Sequence, residues 1–257
     1  MSVRDLFDLS GQSAIVTGGA TGLGRQMSEA LAELGASVTI CARNGERCAE
    51  AAQALERAHG VPCRGVACNV ADADDVARLV TETHSARGRI DILVNNAGTA
   101  WGAKPQDTPL HGWQKVIDVN LTGVFLCTQA AGRVMIDQGR GKVVNIASIT
   151  GLRGSRPEVL DAIAYSSAKG AVIAFTRDLA WKWARHGIGV NAIAPGWFDT
   201  GLSRPVLERA GDDLLDAIPL RRLGGENDLK GAVGYLASAA SDYVTGHTLV
   251  VDGGASA

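Results

Sequence analysis

Short runs of β-branched and aliphatic residues recur along the chain, at positions 14–16, 38–40, 66–68, 92–94, 143–146, 190–193 and 249–251. Between them lie longer stretches with apolar residues three and four apart, such as Leu31 and Leu34 or Val76, Leu79 and Val80. Apolar runs of strand length alternating with helical periodicity predict crossover units, hence an α/β fold. Each helix then covers one face of a parallel sheet with its apolar stripe, giving a doubly wound parallel sheet with helices on both faces. No repeat and no Pro/Gly/Ser linker divides the chain, so a single domain over residues 1–257 is expected. The rhythm breaks only at 200–222, where Gly201, Pro205, Gly211 and Pro219 interrupt helical fragments. An excursion of that kind beyond the strand ends predicts a small, mobile substrate-side flap.

Composition narrows the function classes. Hydrophobic residues make up 46% and charged residues 20% of the 257, ordinary globular values, and the net charge of −2 supplies no excess of cations for nucleic acid. The five cysteines lack a Cys-x-x-Cys pair and read as reduced thiols, while the five histidines are scattered without metal-ligand spacing. No metal, nucleic-acid or membrane partner is expected. The N-terminal segment has no apolar core of signal-peptide length, so a soluble, cytoplasmic protein is predicted.

The first strand runs into Thr17-Gly18-Gly19-Ala20-Thr21-Gly22-Leu23-Gly24, and a helical pattern begins at once. Strand, glycine-rich turn and helix in that order suit a dinucleotide loop of Rossmann type. Gly18 permits the turn, Gly22 lets backbone approach a pyrophosphate, and Gly24 lets helix and strand pack closely. An ordinary strand-to-helix turn is the alternative. The second strand ends in Cys41-Ala42-Arg43-Asn44 with no carboxylate, so Arg43 either pairs with a 2′-phosphate, favouring NADP(H) over NAD(H), or is a solvated surface arginine. Tyr165 and Lys169 lie four apart on a helical segment, where a lysine can favour the phenolate and bring the tyrosine toward an acid/base role.

Taken together and in order, TGGATGLG at 17–24, NNAG at 95–98, Asn120 in DVNL, Ser148 in NIAS, YSSAK at 165–169 and PGWFDT at 195–200 resemble the short-chain dehydrogenase/reductase family across essentially the whole chain. The resemblance implies an oxidoreductase interconverting a carbonyl and a secondary alcohol. Ser148 would polarise the substrate oxygen, Tyr165 exchange its proton, Lys169 bind the nicotinamide ribose and tune Tyr165, and Asn120 support a water leading to Lys169. It also places Gly18, Thr21, Gly22, Leu23, Gly24, Asn69, Val70, Pro195 and Gly196 at the cofactor. Backbone of Asn96, Ala97 and Gly98 would lie beside the ribose, and Thr200 with the backbone of Phe198 beside the carboxamide. Asn69 stands where the family usually has an aspartate, and its carbonyl can still accept from the adenine amino group. Taken singly, Asn95 and Asn120 would be cap or turn residues and Ser148 a strand-end hydroxyl.

The stretch between Ser148 and Tyr165 is longer than the family usually has and carries Arg153, Arg156 and Glu158. It resembles sugar-acid and polyol dehydrogenases of the gluconate 5-dehydrogenase kind, whereas residues 97–103 resemble 3-oxoacyl reductases. The arginines could bind a carboxylate or simply face water. Trp101, Trp197 and Phe198 are candidates for the pocket wall, and Trp181 and Trp183 for a subunit interface or the core. By the same resemblance the helices after Gly112 and Ala164 pair between subunits, implying a homotetramer.

Overall fold

A computed structural model describes all 257 residues except the side chains of residues 210 and 212. Seven strands form one parallel sheet in the order β3-β2-β1-β4-β5-β6-β7. They are β1 (Ser13–Thr17), β2 (Ser37–Ala42), β3 (Cys63–Ala67), β4 (Ile92–Asn95), β5 (Gly141–Ile146), β6 (Ile188–Pro195) and β7 (Thr248–Val251), matching the seven predicted runs to within a few residues at their ends. Alternation along β1 divides the core. Ala14 and Val16 pack with α2 (Gly22–Glu33), α3 (Gly45–His59) and α9 (Lys230–Ala237) on one face, while Ile15 packs with α4 (Ala73–Arg87) and α6 (Gly123–Gln138) on the other.

Strand order reverses between β1, which pairs with β2 on one side, and β4 on the other. Open α/β sheets bind ligands at such a switch point, beyond the carboxyl ends of the strands. Two long helices bring chemistry there: α6, reached through α5 (Leu110–Ile117), and α7 (Ile163–Trp183). The junction of α5 and α6 is a π-helical turn, Asp118–Thr122, which buries Asn120 completely. The continuous helix Leu110–Gln138 is long and apolar enough to cross a membrane, and here it packs against α4 and α7. Within the predicted flap, α8 (Arg204–Asp216) is broken at Gly211, whose φ of 53° and ψ of −142° lie outside the helical range.

All five cysteines are free thiols. Trp181 is 88% exposed in this single chain, so the core half of its expected role is wrong, whereas Trp183 packs on Gly132.

Candidate active site

The glycine loop leaves free N–H groups at the start of its helix. Gly18 turns at φ 65°, a Cβ on Gly24 would lie 2.2 Å from the Gly18 carbonyl, and the N-cap Thr21 makes no side-chain bond to the first turn of α2. The first N–H groups of α2 are therefore uncapped, at the positive end of the helix dipole. Asn96 fixes the loop: its Nδ2 donates to the carbonyls of Thr17 (2.8 Å) and Gly18 (3.2 Å). The amides of Asn96 and Ala97 donate to Thr17 Oγ1 at 2.9 and 3.0 Å, so those N–H groups are engaged and only carbonyls of these two residues remain to face a ligand.

From this loop a cleft of about 580 Å³ runs past Asn96, Ala97 and Gly98 to Ser148, Tyr165 and Lys169. Thr21, Gly22, Leu23, Pro195, Gly196, Phe198 and Thr200 also line it, as the sequence suggests. Four expected residues do not. Arg43 is exposed at the end of β2, and the arginine on the cleft wall is Arg47, in the first turn of α3, with no motif in the sequence to mark it. Asn69 is exposed, its Oδ1 accepting from the Ala71 amide at 3.3 Å, and Val70 is buried against Gly123. Asn120 lies beneath the wall: its Oδ1 accepts from the Thr99 amide (2.8 Å) and its Nδ2 donates to the Thr99 carbonyl (2.9 Å). Both ends of that amide hold the loop after β4. A Cβ on Gly98 would sit 3.7 Å from Asn120 Oδ1 and 4.0 Å from Lys169 Nζ, which places the three side by side. Trp101 is also absent from the cleft wall; it packs on Gly112 and meets His111 edge to face.

Ser148 caps a short 3₁₀ turn after β5, Ile149–Gly151, and its Oγ accepts from both the amide (3.2 Å) and the hydroxyl (3.0 Å) of Thr150. Having accepted twice, that hydroxyl keeps its own proton to donate. Close packing sets the turn against α7, since a Cβ on Gly151 would fall 2.6 Å from the Lys169 carbonyl carbon. Burial raises the Tyr165 phenol above its ordinary value, with Ser148 pulling the other way. Lys169 is buried too, which pushes its ammonium down to about 8. Its Nζ donates to the Ile146 carbonyl at 2.6 Å and stands 5.6 Å from the centre of the Tyr165 ring. In the chain by itself the phenol is raised by desolvation, and Lys169 Nζ is directed at a backbone carbonyl.

Beneath these groups runs a buried polar chain. Asn95 Nδ2 donates to Thr128 Oγ1 and to Asn145 Oδ1, both at 2.8 Å, and Asn145 Nδ2 donates to Thr176 Oγ1 at 3.0 Å. It ties β4, β5, α6 and α7 together, so Asn95 is a cross-sheet tie rather than a cap or turn residue. Away from the cleft, among the described residues, one group of metal-ligand type exists, Glu29, Glu33 and His59, and Lys230 bridges the two carboxylates at 3.0 and 2.7 Å.

Residues 18–256 match the family described as Enoyl-(Acyl carrier protein) reductase. The chain is 39% identical over 254 residues to the 2-dehydro-3-deoxy-D-gluconate 5-dehydrogenase of Bacillus subtilis, covering 98% of this chain and 97% of that one. A short-chain type dehydrogenase/reductase from Mycobacterium marinum superposes with a TM-score of 0.95 at 38% identity, covering 99% of both chains. A gluconate 5-dehydrogenase from Burkholderia cenocepacia, solved with NADP and tartrate, superposes with a TM-score of 0.93 at 39% identity, covering 99% of this chain and 98% of that one.

Proposed function

The chain belongs to the short-chain dehydrogenase/reductase family, and from that premise we propose that it is an NADP(H)-dependent oxidoreductase interconverting a carbonyl and a secondary alcohol, with Tyr165 as its proton-transfer residue. The observation that carries this reading is one cleft with an uncapped helix N-terminus toward one end and Ser148, Tyr165 and Lys169 gathered at the other. A dinucleotide bound there supplies or accepts the hydride. The chain's own residues do the rest. Ser148, with its oxygen already accepting twice, donates to the substrate oxygen and holds it beside Tyr165. Tyr165 gives that oxygen a proton during reduction and withdraws it during oxidation, from a partly buried ring packed on Val116, Ala164 and Ala168. Lys169 orders the ribose side of the cleft, and Asn120 positions the loop that carries Gly98. Tyr165→Phe keeps the ring and deletes the proton; it should lower kcat by about a hundredfold or more with cofactor affinity nearly unchanged. Near-native turnover by that variant would overturn the proposal.

NADP(H) preference is supported by the absence of a carboxylate at the end of β2 and by Arg47 on the wall with Arg43 nearby in sequence. Loss of a charge-assisted contact costs about 1.5–3 kcal/mol. Arg47→Ala should therefore raise KM for NADPH by roughly ten- to a hundredfold and leave KM for NADH nearly unchanged, with Arg43→Ala smaller, as steady-state kinetics would show. Further parts of the proposal are a cytoplasmic homotetramer, for which the exposed Phe125 and Ile163 on α6 and α7 offer apolar contact, and residues 200–222 as a flap over the substrate. A dinucleotide-binding regulator without turnover is the rival; it gives no reason for a serine, tyrosine and lysine to converge.

A further inference from the structure

We infer that the substrate is an uncharged ketone, or the matching secondary alcohol, with apolar substituents on the reacting carbon, and not a sugar acid or polyol; this rests on the oxidoreductase reading above. Among the described residues, only two charged side chains line the whole cleft, Arg47 and Lys169. Arg47 comes from α3, beyond β2, where the adenosine half of a dinucleotide belongs, and Lys169 is buried with its Nζ on the Ile146 carbonyl. Neither is placed to receive a substrate carboxylate. The wall around the catalytic pair is built from Ala100, Ile149, Leu160, Trp197, Leu202 and Val206.

The polar side chains on that side are already engaged. Thr150 gives its hydroxyl proton to Ser148, and Ser203 Oγ bonds the Phe198 carbonyl while accepting from the Thr200 amide at 3.0 Å. That leaves the hydroxyls of Ser148 and Tyr165, assigned to the oxygen undergoing reaction, and the indole N–H of Trp197. A polyol offers several further hydroxyls and an acid a full charge, and a single neutral N–H cannot replace the water they would lose. The long segment before α7, whose arginines suggest acid recognition, does not supply one: Arg153 and Arg156 are exposed and form no ion pair among the described residues, and neither lines the cleft. The residues of that segment that do reach the wall are Ile149, Thr150 and Leu160, none of them charged. Specificity of this kind acts by exclusion, through a wall that cannot solvate what a different relative would bind.

The test pairs a neutral ester with its own carboxylate. With NADPH in excess, kcat/KM is measured for ethyl 3-oxobutanoate and for 3-oxobutanoate, with 2-octanone and 5-oxogluconate as the apolar and the polyhydroxy acidic extremes. The ester should exceed the acid by at least about 30-fold, and 2-octanone should exceed 5-oxogluconate by more, because the wall offers no partner for a carboxylate. Leu160→Arg should then shift the ester-to-acid ratio toward the acid by about tenfold, by placing a guanidinium on the wall. If 3-oxobutanoate or 5-oxogluconate is used as well as its neutral counterpart, the substrate inference is wrong and the oxidoreductase reading stands. If none of the four is reduced by a chain that still binds NADPH, the oxidoreductase reading falls and takes this inference with it.

Discussion

The two sides of the cleft are built by different means. On the catalytic side, Asn95, Thr128, Asn145, Thr176 and Lys169 are all at most 4% exposed and joined by side-chain bonds that cross from strand to strand and strand to helix. On the flap side, Leu202 is 47% exposed, α8 is broken at Gly211, and the polar bonds run between near neighbours, Ser203 with Phe198 and Thr200. The contrast teaches where rigidity is needed. In the proposed mechanism a proton passes between atoms held within hydrogen-bond reach, and the elements carrying the tyrosine and serine rest on a network with few alternatives. The proposed flap has few long-range ties and can change without disturbing that geometry.

The comparison breaks most sharply at Asn145. Asn145→Leu removes a partner from both Asn95 and Thr176 in a dry interior, and should lower stability by roughly 2–3 kcal/mol, read from urea unfolding, with a fall in kcat as α7 loosens against β5. An unchanged midpoint and an unchanged kcat would show the buried chain to be incidental.

Lys169 sharpens the same side through pH. Its ammonium titrates near 8 in the folded chain against an ordinary 10.5, so between these values the unfolded chain holds the extra proton and stability rises with pH. Below pH 8 the lysine is charged in both states and burial costs its full amount; above 10.5 the cost is gone. Lys169→Met should therefore be more stable than the parent by about 1–3 kcal/mol at pH 7, with the difference vanishing as pH approaches the ordinary lysine value. A constant difference across that range would place the titration elsewhere.

The smallest effect is expected on the flap. Ser203→Ala removes the bonds to the Phe198 carbonyl and the Thr200 amide, and should raise substrate KM by about two- to fivefold while moving Tm by no more than about 2 °C. A large loss of Tm would mean the flap is as firmly tied as the catalytic side.

Much of this was legible in the sequence because its signals are local. Strand-length apolar runs separated by helical periodicity predict seven parallel strands, and a strand, a glycine turn and a helix in succession predict the anion site at α2. Tyr165 and Lys169 share a helix face through a spacing of four. What the sequence could not decide depends on residues far apart in the chain. Arg47 in the first turn of α3, and not Arg43 before it, lines the wall, a choice set by where α3 lies beside the cleft. Asn120 clamps Thr99 because a π-helical turn buries it, and the same pattern written as a regular helix gives no hint of it. Lys169 donates to a carbonyl of β5 and is buried, which pushes its ammonium down, an outcome that a spacing of four does not encode. Local hydrogen bonding and periodicity fix elements and loops; desolvation and partner choice exist only once those elements are packed.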